Sequence, residues 1–166
     1  ADVFLADRIA LKGNYTKNVK STYKKMNKGP QTRMAMHQML DEAFRAAGEY
    51  MDKAEKDYDA GKEVLCRVLR REIPFVVSAE TQAEIESVIE VAKKYDLRLV
   101  LTGAFAAERA AEDIMKEGYH VMLGDSNYMQ AGQRGHTDHR KLVELSRKGM
   151  KLSIFCSGDE AYPPAY

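Results

Sequence analysis

From Pro74 onward the chain alternates short apolar runs with longer amphipathic stretches, and this rhythm restricts the fold more than any other feature. Phe75-Val76-Val77 is too brief a run for a helix. It is followed by a Thr81-x-x-Glu84 capping box ahead of Ile85, Val88, Ile89 and Ala92. Arg98–Leu101 reads as the next strand, and Phe105 to Lys116 as an alanine-rich helix stopped by Gly118. His120–Leu123 is a third strand, Lys141 to Lys148 a helix closed by Gly149, and Leu152–Phe155 a fourth strand. Strands alternating with helices imply right-handed crossovers and a parallel sheet. The continuous apolar runs suggest strands covered on both faces. The expected class is therefore α/β, as part of a (β/α)8 TIM-type barrel or as an open doubly wound parallel sheet. A complete barrel takes ~250 residues and eight strands. The 166 residues here offer four clear strands, with a fifth near Val3-Phe4-Leu5.

The first part of the chain reads differently. Residues 1–30 form an irregular lead-in with a Gly13-Asn14 turn signal and a lysine-rich segment from Lys17 to Lys28, closing on Gly29-Pro30. Residues 31–72 are helical. Met36, Leu40, Ala43, Phe44, Ala47, Tyr50, Met51 and Ala54 recur at three- and four-residue steps, predicting one long helix over 31–58. Asp59-Ala60-Gly61 ends it, and a shorter helix runs through Val64, Leu65, Val68 and Leu69. With the βα repeats of 73–166, the whole reads as a single α/β domain or a barrel fragment.

Charge narrows the partners. Twenty-six Lys and Arg against 25 Asp and Glu leave a net charge of +1, which supplies no electrostatic footprint for nucleic acid or an anionic membrane. No apolar run approaches the ~20 residues needed to span a bilayer, and the first residues lack the pattern of a signal peptide. A soluble, cytoplasmic protein is expected. Cys66 and Cys156 fit no metal-finger or redox spacing and read as small buried hydrophobes.

Parallel α/β folds bind ligands at the carboxyl ends of their strands. Four loops qualify: Ser78-Ala79-Glu80, Thr102-Gly103-Ala104, Gly124-Asp125-Ser126-Asn127 and Ser157-Gly158-Asp159-Glu160. Ser78, Glu80, Gly103, Asp125 and Asn127 are the ligand-binding candidates, although Ser78, Thr102 and Asp125 would equally serve as helix caps. Asp159 has no helical pattern after it and is the best candidate for a catalytic carboxylate. His136-Thr137-Asp138-His139 invites a metal reading, but no third ligand is fixed by spacing and a polar helix start accounts for it. His37 and His120 fall away from the expected site. The glycines form no dinucleotide or phosphate-binding motif.

Several segments together resemble one family. Gly29-Pro30-Gln31-Thr32-Arg33-Met34 before a long helix, Ile73 to Ala79, Tyr95 to Leu101, and Lys148 to Lys151 leading to Asp159 occur in the order seen in the metal-dependent amidohydrolases. The likeness is to the branch close to imidazolonepropionase and dipeptidase-like enzymes, and it runs from about residue 8 to 160. It implies a barrel whose fifth, sixth and eighth strands are the runs at Phe75, Arg98 and Leu152. It also implies hydrolysis of C–N bonds with zinc or another divalent metal, with Asp159 matching the catalytic aspartate of the eighth strand.

The family's metal-binding imidazoles are not carried over. Ser78 stands at the end of the fifth strand and Gly103 after the sixth, and no His-x-His occurs. A catalytic zinc needs about three protein ligands and an open position. No metal or other cofactor is therefore expected in this chain. The resemblance points to an amidohydrolase-like segment that is non-catalytic or incomplete. The alternatives are a C–N hydrolase using atypical ligands such as Asp159 and Glu80, and a small-molecule binding module. An arc of four or five strands has two free edges, so self-association or a missing upstream segment is expected to cover them.

Overall fold

The computed structural model describes residues 9–26, 28–30, 32–55, 57–123 and 138–154. Five short strands, β1 (Leu11–Asn14), β2 (Phe75–Ser78), β3 (Leu99–Thr102), β4 (His120–Leu123) and β5 (Lys151–Ile154), form one sheet in the order β1-β2-β3-β4-β5. Every neighbouring pair is parallel. The helices are α1 (Lys17–Lys25), α2 (Arg33–Met51), α3 (Ala60–Leu69), α4 (Gln82–Lys94), α5 (Ala111–Lys116) and α6 (His139–Arg147), with a 3-10 turn at Ala107–Arg109.

Register separates the two faces. Leu11 stands beside Phe75 and Leu99, Gly13 beside Val77, Leu101 beside Val121, and Leu123 beside Ile154. Phe75, Val77, Leu99, Leu101, Val121 and Leu123 share one buried core with Phe44 of α2, Val68 of α3, Ile85 and Val88 of α4, Ile114 of α5 and Leu142 of α6. Helices thus cover this one face. The opposite face carries Asn14, Val76, Ser78, Val100, Thr102, His120, Met122 and Ser153, a mixed polar set that lies outside the core. A doubly wound sheet reverses its strand order and places helices on both faces. Unbroken chain order with helices on one face describes an arc of a (β/α) barrel, and the open-sheet alternative is set aside. The apolar runs are not covered on both faces either: β2 and β3 alternate between buried and half-buried positions.

The lead-in expected to be irregular contains β1 and α1. Gly13, read as a turn, lies within β1. A Cβ there would meet the Phe75 ring at 3.0 Å, so the strand needs a glycine to lie against the aromatic side chain. The Val3-Phe4-Leu5 run lies outside the described residues. The long helix stops at Met51 rather than near residue 58, about 28 Å from its start at 1.5 Å per residue. Asp59 begins α3 instead of ending α2, its carboxylate accepting from the amides of Gly61 and Lys62 at 3.0 and 3.1 Å. The helix predicted over Phe105–Lys116 is a 3-10 turn followed by the shorter α5. Buried Ala104, Ala106, Ala107, Ala110 and Ala111 let this segment lie close against the core.

Candidate functional site

The carboxyl ends of β2 and β3 stand side by side. Ser78 and Thr102 are register partners on the uncovered face, and their hydroxyls are 2.9 Å apart. Neither caps a helix, contrary to the alternative drawn from sequence. Facing positions on adjacent strands bring the two hydroxyls together before either can reach a helix start. The capping role after β2 falls to Thr81, as the capping box predicts.

Glu80 follows directly. Its amide donates to Glu84 at 3.1 Å, as does the amide of Thr81. Glu84 is only 2% exposed, so a buried carboxylate fixes the backbone of the β2 loop. Gly103 has a φ of +66°, and a Cβ there would stand 4.0 Å from Glu80 Cγ. The space is open, yet the left-handed backbone would cost an L-residue roughly 1–2 kcal/mol. The Gly103 amide donates to the Met122 carbonyl at 3.0 Å, tying the β3 loop to β4. Ser78, Glu80 and Gly103 therefore lie together at one end of the sheet. Asp125, Asn127 and Asp159 lie outside the described residues.

His37 and His120 are engaged elsewhere. His120 Nε2 lies 3.0 Å from Ser153 Oγ on the uncovered face, and His37 Nδ1 lies 3.0 Å from Ser87 Oγ between α2 and α4. Asp138 caps α6, accepting from the Lys141 amide at 2.9 Å, and His139 opens that helix; His136 and Thr137 lie outside the described residues. Cys66 is buried, as expected.

Sequence reasoning missed Glu108. Its Oε2 is buried without a hydrogen-bond partner among the described residues, and its other oxygen lies 3.6 Å from Arg109 Nε. The alanine-rich stretch around it reads as ordinary helix, so no local signal marks the carboxylate that the 3-10 turn carries past the end of β3.

Chemically, the described strand ends offer a hydroxyl pair, a glutamate and backbone amides. Serine and threonine hydroxyls are poor zinc ligands at neutral pH, and glycine has no side chain to offer. Among the described residues no group of three or more His, Cys, Asp or Glu side chains could hold a metal ion. The strand ends of β2 and β3 thus do not fit the metal that the resemblance implies.

Sequential parallel strands with one helical layer define a partial (β/α) barrel. The comparison that carries this is the crystal structure of an amidohydrolase from Thermotoga maritima MSB8, similar at 20% identity with a TM-score of 0.85 over 94% of this chain. The chain spans 43% of the length of that protein. No family model and no curated protein matches the sequence. No described helix is long and apolar enough to cross a membrane.

Proposed function

We propose that this chain is a segment of an amidohydrolase-fold barrel that is non-catalytic, or incomplete as a catalyst, and that its strand ends bind a small molecule. The observation that carries this is the Ser78–Thr102 hydroxyl pair, standing beside Gly103 where imidazoles would have to hold a metal. Ser78, Glu80 and the Gly103 backbone are the proposed ligand-binding groups, joined by Asp125, Asn127 and Asp159 from the neighbouring loops. The segment acts in the cytoplasm, and its sheet edges are completed by a second copy or by an upstream segment. Elemental analysis of the chain purified with zinc present tests the reading. Substoichiometric metal, unchanged in Asp159→Ala, is the expected result. About one tightly held transition metal per chain, lost in that variant, would overturn it.

A second reading has one observation in its favour. Glu80 Cγ approaches the position a Gly103 side chain would take, which puts a carboxylate beside the strand ends. In that reading Glu80 and Asp159 complete a C–N hydrolase site with ligands from outside the described residues. Turnover of an amide or cyclic amide that disappears in Asp159→Ala distinguishes it.

A further inference from the structure

The amino-terminal edge of the sheet, opposite the end considered above, encloses a cavity of about 410 Å3. Its lining includes Arg71, Arg98, His120 and Lys151 with Asp96, Glu117 and Tyr119. We propose that this cavity binds a small phosphate monoester, held through its tetrahedral oxyanion by Arg98 and Lys151.

The charges favour an anion because the lining holds three cations, Arg71, Arg98 and Lys151, against two carboxylates, Asp96 and Glu117. Asp96 pairs with Arg71, and Glu117 lies 4.0 Å from Lys93, whose nearer partner is Asp113. Arg98 and Lys151 have no carboxylate partner among the described residues. Arg98 Nη1 donates to the Arg71 carbonyl at 3.1 Å and Lys151 Nζ to the Gly118 carbonyl at 3.2 Å. A guanidinium has five N–H donors and an ammonium three, so both keep donors for a ligand.

Register brings these groups together. Val100 pairs with His120, and His120 with Lys151. Arg98, two residues before Val100, shares their face and stands level with Gly118, whose carbonyl Lys151 reaches. Tyr119, two residues before Val121, falls on the helix-covered face and belongs to the buried core, so it forms part of the cavity wall and does not contact the anion. A planar fork and a point charge arriving from different strands can each take separate oxygens of a tetrahedral anion. The volume lies within the range of small-molecule sites, which begins at about 300 Å3, and leaves room for an organic group beside the phosphate.

Titrating inorganic phosphate into the full chain in a Tris chloride buffer, by calorimetry and phosphorus-31 line width, tests the assignment. Saturable one-site binding is expected, with sulfate competing and acetate not. Lys151→Met and Arg98→Met should each weaken it about tenfold or more, the cost of one charge-assisted hydrogen bond, while Lys151→Arg retains it. Circular dichroism verifies folding; should Arg98→Met fail to fold, the two variants of the exposed Lys151 decide alone. Absence of saturable binding, equal binding by wild type and Lys151→Met, or acetate competing as well as sulfate would overturn the proposal.

Discussion

Glu84 is a buried carboxylate that takes two backbone amides in place of a cation, and the shape of the β2 loop depends on it. Removing the acceptor leaves the N–H groups of Glu80 and Thr81 without their partner, at a cost of about 1–3 kcal/mol for such a group. Glu84→Ala should therefore lower stability by about 2 kcal/mol, seen as a lower urea midpoint with an unchanged slope. Glu84→Gln, which keeps an acceptor oxygen, should lose clearly less. The Thr-x-x-Glu spacing made the capping box legible in sequence. Its burial was not, because burial depends on what the fold packs over the first turn of α4. Ser78 and Thr102 show the same limit: each reads as a cap alone, and only the register between β2 and β3 turns two caps into a pair.

At the level of elements, α2 docks on α4 through an apolar contact bordered by a polar one. Phe44 meets the Phe75 ring edge-on at 5.4 Å and the Tyr95 ring at 5.5 Å. Beside them Asp41 accepts from Lys94 Nζ at 2.6 Å and from the Tyr95 hydroxyl at 3.0 Å. The Lys94 ammonium first, and the Tyr95 hydroxyl after it, hold the Asp41 carboxyl below its usual range against the opposing effect of burial. Because the folded value is depressed, this contribution is complete above the unfolded value of about 3.9. It is lost as pH falls through the folded value. Thermal melts between neutral pH and pH 2 should accordingly show a shallower acid decline in Asp41→Asn than in wild type. A parallel decline would mean that Asp41 is not coupled to folding. The strands β2 to β5 were legible because short runs of Val, Leu, Ile and Phe, set between capped helices, are too brief to be helices themselves and too apolar to be loops. β1 was not, since Leu11-Lys12-Gly13-Asn14 carries one large apolar residue and exists as a strand because Phe75 fills the space over its glycine. α5 was overestimated because alanine fits a continuous helix and a close-lying turn equally well.

For the molecule as a whole, β1 and β5 are the outer strands of the described sheet. The uncovered face is less apolar than strand composition suggests, because the Val, Leu and Phe side chains largely point toward the helices. The exposed apolar element lies at the flank instead. Ile154 of β5 is 63% exposed on the face that helices cover elsewhere, where a further helix would pack. Unpaired edges of this kind recruit other strands. Sedimentation velocity at micromolar concentration should show reversible association, and Ile154→Lys should raise its dissociation constant about tenfold by removing one buried aliphatic contact. A concentration-independent monomer in wild type would remove the case for an open flank. The sequential strand order has a kinetic consequence too. From β2 to β5 the paired residues are 20 to 31 apart in the chain, whereas Leu11 of β1 and Phe75 of β2 are 64 apart, so loop closure is least hindered by chain entropy over the last four strands. A nascent polypeptide can add one strand and its helix at a time to a sheet already formed. Growth by whole units leaves earlier pairings undisturbed, so the fold can lengthen without being rewired.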